Sequence, residues 1–365
     1  MSATVLIAGG GTGGHLFPGM AVAGQLLRER PGLSLAFVNA GRPLESRVLA
    51  QAGYGQEVLP AKAFRGKGML SRLAALAVVP GAVMKAVGLI RRRRPGLVLA
   101  VGGYAALPLG LAAWLCGVPL AVQEQNALPG LTNRILGKVA TKAFVAFAAA
   151  SKHFPAGKSE FCGNPVRQEL LEQAGQTERE DPAQRFTVLV LGGSQGARSL
   201  NQAVTGALEL LTERKERMFF IHQTGESDAE WVRQAYQDAG FAAEVAPFFE
   251  QVGVCYGRAH LVLCRSGAGT VTEGLATGRA MICVPYPYAA GDHQRLNAQA
   301  LVDAGAARLI PDAELNAETA ARAIAELMDH ADERLAMEQS ARQMARPQAA
   351  RDIAGRCLEL MKEAA

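Results

Sequence analysis

Short apolar runs recur along the chain, each closed by glycine or polar residues and mostly followed by a helical pattern. Ala3–Ala8, Leu33–Val38, Leu97–Val101, Leu120–Val122, Lys142–Val145, Phe186–Leu191, Met218–His222, Ala243–Ala246, Leu261–Cys264 and Ala280–Val284 have this form. Strands covered on both faces read as continuous apolar runs. Their alternation with helices predicts doubly wound parallel α/β sheets, with ligands at the carboxyl ends of the strands. At 365 residues the chain has room for two such domains. The stretch Leu97–Val122 is uncharged over 26 residues. Gly102-Gly103, Pro108 and Gly117-Val118-Pro119 divide it into strand, helix and strand, so it is not read as a membrane span. The polar stretch Glu172–Gln184 predicts a surface excursion, and Ala349–Lys362 a final helix.

Three of the apolar runs enter glycine turns. The first turn is Gly9-Gly10-Gly11-Thr12-Gly13-Gly14, with five glycines in six positions, followed by His15. Bare backbone approaches a ligand closely, and N–H groups at a helix start favour anions. His15 is therefore a candidate base, or alternatively a ring that braces the loop. The second turn is Gly192-Gly193-Ser194-Gln195-Gly196-Ala197, ahead of a helix from about Arg198. The third runs from Arg265 through Gly267, Gly269 and Thr270 to Glu273. Glu273 reads equally as an acceptor for a ribose diol or as an acid favoured by the helix dipole. Gly9, Gly11 and Gly14 also satisfy G-x-G-x-x-G, but the second strand ends in Asn39-Ala40-Gly41 and the next acid is Glu45. With no acid for a ribose and no lysine in P-loop register, a dinucleotide site and a Walker motif are both disfavoured.

Charge is unevenly distributed. Residues 1–160 hold 18 basic and 5 acidic side chains, a net +13, and the remainder holds 20 and 28, a net −8. No acid lies between Glu57 and Glu124, where Lys62, Arg65, Lys67, Arg72, Lys85 and Arg91 to Arg94 are interleaved with apolar residues. Such a segment suggests docking on an anionic membrane surface, or a solvated helix with a core face. Sparse aromatics and the acidic second half argue against nucleic acid. The chain start lacks the features of a signal peptide. The six cysteines show no C-x-x-C and read as reduced core residues in a cytosolic protein.

The motifs GGGTGGH at 9–15, GGY at 102–104, EQN at 124–126, GNPVR at 163–167, GGSQGA at 192–197, CRSGAGTVTE at 264–273 and DHQ..NA at 292–298 follow one order. In this the chain resembles the lipid I N-acetylglucosaminyltransferases of glycosyltransferase family 28. The resemblance implies a GT-B fold, two doubly wound Rossmann-like domains facing across a cleft. The expected domains are 1–163, with a helix at 346–365 packing back on it, and 164–345. It implies an inverting hexosyltransferase that moves N-acetylglucosamine (GlcNAc) from UDP-GlcNAc to the 4-hydroxyl of undecaprenyl-diphosphate-linked MurNAc-pentapeptide, lipid I. The implied place is peripheral, at the cytoplasmic face of the inner membrane, in cell wall biogenesis, cell shape and division. Another acceptor, or a sugar-nucleotide epimerase on related domains, is the alternative.

Carried over by motif, the resemblance implies that Arg167 and Ser194 hold donor phosphate or sugar oxygens and that the backbone of Phe249 meets the uracil. Ala268, Gly269, Thr270, Val271 and Thr272 would cap the diphosphate and sugar, Glu273 the ribose, and Gln294 the GlcNAc hydroxyls. Thr12, Gly13, Gly14 and Asn126 would face the donor sugar and acceptor. His15, Glu124 and Asn126 are the catalytic candidates. Many members of the family have histidine where this chain has Gln123, which shifts proton carriage onto His15 or Glu124. No D-x-D occurs, so neither metal nor cofactor is expected; helix N-termini and Arg167 would stabilise the leaving UDP.

Overall fold

The computed structural model describes residues 4–10, 13–59, 69–103, 105–193 and 195–363, with backbone alone at 44 and 69–78. It divides into two compact units, Met1–Arg167 with Pro347–Ala365, and Gln168–Arg346. The motif-based boundaries fall four residues before the first division and one before the second.

The first unit is built on a parallel sheet of β1 Thr4–Ala8, β2 Ser34–Asn39, β3 Gly55–Val58, β4 Leu97–Ala100, β5 Leu120–Glu124, β6 Lys142–Val145 and β7 Ser159–Phe161. Their spatial order is β3-β2-β1-β4-β5-β6-β7. β4 is buried along its whole length, as a continuous apolar run predicts, and burial in β5 continues past the run Leu120–Val122 to the polar Gln123 and Glu124. Helix Ala349–Glu363 belongs to this unit and packs on helix Gly13–Glu29. Its Ile353, Ala354, Cys357 and Met361 join a core with Val5, Ile7, Leu26 and Leu97.

The uncharged stretch resolves into β4, helix Ala106–Leu115 and β5. Among the described residues no helix is long and apolar enough to cross a membrane. In the basic segment, helix Met69–Arg93 buries Ala82, Ala86, Leu89 and Ile90 in the core, so its second half does have a core face. Arg92 and Arg93 both reach Glu57. Lys62, Arg65 and Lys67 lie outside the described residues.

The second unit carries β8 Phe186–Leu191, β9 Met218–Gln223, β10 Ala242–Ala246, β11 Leu261–Cys264, β12 Ala280–Cys283 and β13 Ala307–Leu309. All neighbours are parallel, in the order β10-β9-β8-β11-β12-β13. The apolar-run pattern misses β3, β7 and β13. Each is a short edge strand held by backbone pairing on one side, so it needs no apolar run. The expected excursion at 172–184 is corrected in its first part: helix Gln168–Gln176 extends into it, with Leu170 and Ala174 buried.

Two imidazoles sit inside this unit. His222 Nδ1 pairs with Tyr236 Oη and its Nε2 with Asn201 Oδ1, both at 3.0 Å. His260 Nδ1 accepts from Thr187 N, and its Nε2 donates to Glu180 O, both at 2.9 Å. Burial lowers His222 from 6.5 to about 3 and His260 to about 4. Below 6.5 the unfolded chain therefore binds protons that the folded one refuses. Stability is complete above that value and falls as pH drops toward the folded values. Melting of this unit should fall by several degrees from about pH 7.5 to about 5.5, above most carboxylate titration. Calorimetry in buffers of different ionisation enthalpy should show proton uptake on unfolding, reduced in His260→Gln. A melting temperature flat over that interval would overturn the claim.

Candidate functional site

Each sheet reverses its strand order once, beside its first strand, and the loops at these switch points carry the glycine motifs. In the first unit the loops after β1 and β4 meet as bare backbone. A Cβ on Gly103, whose φ is +85°, would lie 2.1 Å from the carbonyl oxygen of Gly10. One on Gly102 would lie 2.9 Å from the His15 ring. Only glycine permits either approach, so His15 lies against the backbone of the second loop. Helix Gly13–Glu29 begins here with no acid in its first turn. Gly14 is exposed, and Gly13 and His15 are half-buried. Thr12 lies outside the described residues.

His15 Nδ1 meets Gln125 Oε1 at 3.2 Å, which brings the loop after β5 into the same cradle. Glu124, the last residue of β5, is turned inward. Its Oε1 accepts from Asn126 N at 2.9 Å and Nδ2 at 3.2 Å; its Oε2 accepts from Gly130 N at 3.1 Å and Asn133 Nδ2 at 2.9 Å. With 1% exposure and these four donors on its oxygens, Glu124 shapes the turn that presents Asn126. Arg167 ends the first unit, its guanidinium 4.6 Å above the Phe17 ring.

The second unit repeats the design with different side chains. A Cβ on Gly196, at φ +74°, would lie 2.0 Å from Thr224 O, so the loop after β8 rests on the end of β9. Gln223 ties two loops together: its Nε2 donates to Gly193 O at 3.2 Å and its Oε1 accepts from Phe249 N at 3.1 Å. Ser194 lies outside the described residues. After β11, helix Ala268–Ala276 starts at Gly267 with no side-chain cap and no acid in its first turn. The N–H groups of Ala268, Gly269 and Thr270 face outward along the helix dipole, a site for an anion. Val271 donates its N–H to Gly267 O, and Thr272 Oγ1 bonds Ala268 O at 2.6 Å. The side chains of both are buried, so neither offers one to a ligand.

Glu273 follows one turn later and meets Tyr256 Oη at 3.2 Å; the same hydroxyl lies 3.2 Å from Thr270 O. Burial, and then the neighbouring Glu273, push the Tyr256 phenol far up, so it stays protonated and donates. Arg265, largely buried, binds Asp312 Oδ1 at 2.6 Å, Ser199 Oγ at 2.7 Å and the carbonyls of Val284 and Pro285, clamping the loops around β11. Gln294 Oε1 accepts from Tyr286 N at 2.9 Å. Gln125, Gln223, Tyr256 and Arg265 are the supporting residues that motif reading left unassigned.

The comparisons with known proteins bear on this pair of cradles. A sequence model of the glycosyltransferase family 28 N-terminal domain matches residues 5–145, and one of its C-terminal domain matches 187–353. A Myxococcus xanthus protein is 44% identical over 98% of this chain and 93% of its own length. It is named a UDP-N-acetylglucosamine--N-acetylmuramyl-(pentapeptide) pyrophosphoryl-undecaprenol N-acetylglucosamine transferase. The crystal structure of Acinetobacter baumannii MurG matches with a TM-score of 0.79 at 29% identity, over 98% of this chain and all of that one. A UDP-N-acetylglucosamine 2-epimerase structure shares the fold at a TM-score of 0.65 and 14% identity, covering 97% and 95% of the two chains.

The inward carboxylate makes a prediction of its own. Glu124→Gln replaces an acceptor oxygen by a donor among groups that all donate, at a cost of about 1–3 kcal/mol. The expected result is a lower melting temperature of the first unit and faster hydrogen exchange at the Asn126 and Gly130 amides. Unchanged exchange at both would sink it.

Proposed function

The chain belongs to glycosyltransferase family 28, and on that footing we propose that it transfers GlcNAc from UDP-GlcNAc to the 4-hydroxyl of lipid I, giving lipid II. The observation that carries this reading is full-length similarity, at 44% identity, to a relative named for that transfer. The two cradles supply the parts. In the second unit the outward N–H groups of Ala268 to Thr270 suit the diphosphate, and Glu273, oriented by Tyr256, suits the ribose diol. The Phe249 backbone, Ser194 and Gln294 are assigned to the uracil and the GlcNAc oxygens. In the first unit Thr12, Gly13, Gly14 and Asn126 are assigned to the reacting sugars. Arg167, at the end of that unit, is assigned to donor oxygens.

His15 is the proposed base. It takes the proton of the 4-hydroxyl as that oxygen forms its bond to the anomeric carbon, while the bond from that carbon to the diphosphate breaks. Charge developing on the leaving UDP meets peptide N–H groups already aligned for it. Glu124 is assigned to loop shape rather than to proton transfer. The expected signature is UDP release from UDP-GlcNAc only when lipid I is present. Release without lipid I, or with an unrelated acceptor alone, would overturn the assignment.

The first unit is also the proposed membrane-facing one, on the cytoplasmic surface, given its net +13 over residues 1–160. Met84, Trp114, Leu115 and Leu131 on this unit are exposed apolar side chains, which suits an interfacial surface. Arg91 and Arg94 are exposed, whereas Arg92 and Arg93 are engaged by Glu57.

Three outcomes follow for variants. His15→Ala should lower kcat by about 10²-fold or more with little change in donor KM. Glu273→Ala, and more weakly Tyr256→Phe, should raise donor KM by about tenfold or less while kcat is kept, and relax the preference for ribose over deoxyribose. A folded His15→Ala enzyme with near-normal kcat removes the base assignment, and a Glu273→Ala enzyme with unchanged donor KM removes the ribose contact. Arg91→Gln with Arg94→Gln should weaken binding to anionic vesicles about thirtyfold at low salt, at about 1 kcal/mol per charge, and leave UDP-GlcNAc affinity intact. Equal sedimentation of wild type and variant with such vesicles would refute the docking face.

A further inference from the structure

The loop after β5 places a buried primary amide behind the His15 ring. Gln125 is 1% exposed. Its Nε2 donates to Val101 O at 2.7 Å and to Gln123 Oε1 at 2.5 Å, and its Oε1 lies 3.2 Å from His15 Nδ1. Gln123 in turn donates from Nε2 to Asn164 Oδ1 at 3.1 Å. Gln123 and Asn164 are buried too.

One partner in this chain decides the rest. A peptide carbonyl only accepts, so the group facing Val101 O must be the amide nitrogen. Turning the Gln125 amide over would set its oxygen against that carbonyl, and no rearrangement of Gln123 or Asn164 relieves the clash. The oxygen of Gln125 therefore faces the imidazole, and an oxygen there requires hydrogen on Nδ1. In the neutral ring the basic lone pair is then on Nε2.

We propose that Gln125 is a positioning residue that holds His15 in its Nδ1–H tautomer, so that Nε2 is the atom that receives the proton of the attacking hydroxyl. The proposal rests on His15 as the base. The same Nδ1–H···Oε1 bond serves both the neutral ring and the imidazolium, so the proton arrives without rearrangement behind the ring. Gln123, Gln125 and Asn164 do not ionise, so the arrangement holds at every pH at which the protein is folded.

Selective 15N-histidine labelling of the full chain gives only six imidazoles, and His15 is assigned by the signal missing in His15→Ala. Long-range 1H–15N correlation then separates the two tautomers of the neutral ring. The wild-type ring is expected as Nδ1–H. Gln125→Met, close in volume but without the amide, should lose that preference and lower kcat about tenfold at nearly constant donor KM, the size of one lost neutral hydrogen bond. A wild-type ring in the Nε2–H form overturns the proposal whether or not any variant folds. So does a folded Gln125→Met protein with an unchanged tautomer, or with a changed tautomer and unchanged kcat. Failure of the base assignment is read separately, from the kcat of His15→Ala.

Discussion

The structure of the first cradle depends on one close approach, that of the loop after β4 to the loop after β1. Gly103 passes so near the carbonyl of Gly10 that a methyl group has no place there, and Gly102 leaves room only for the His15 ring. These contacts follow from the sheet order. At the switch point between β1 and β4 the following helices depart to opposite faces, and the two loops share the gap between them. Bare backbone lets that gap close, with peptide N–H groups and one imidazole at its edge. The third loop, after β5, then reaches the same ring through Gln125.

The second unit solves the same geometric problem with other means. Its loop after β8 rests on the end of β9 through Gly196, and Gln223 at that strand end holds both Gly193 and Phe249. Arg265 then joins the ends of β11 and β12 to Ser199 and Asp312. Loops held at so many points need little reorganisation when a ligand arrives, and that is where preformed donors gain their effect.

How much of this was legible in the sequence depends on what holds each part. The central strands were, because burial on both faces leaves a continuous apolar run. The edge strands β3, β7 and β13 were not, since Gly-Gln-Glu-Val, Ser-Glu-Phe and Ala-Arg-Leu are short, mixed segments paired on one side only and need no continuous apolar run. The glycine turns were legible because few other residues tolerate such contacts. Their supporting residues were hidden, since their partners are set by the tertiary fold. The orientation of Glu124 depends on Asn133, nine positions on, and Tyr256 stands in a short helix that looks like ordinary core. Val271 and Thr272 show the reverse limit: a motif names a stretch, and the helix decides which of its residues turn outward.

The placement of formal charge explains why backbone carries so much of the candidate chemistry. Beside the second cradle the guanidinium of Arg265 is matched by Asp312, so it adds little net attraction for an anion at Gly267 to Thr270. The buried imidazoles of this unit are held neutral by desolvation. The row of N–H groups at an uncapped helix start, whose polarity does not change with pH, is the feature of this cradle that suits an anion. A site built this way binds anions without burying an unmatched charge, which would cost the fold several kcal/mol.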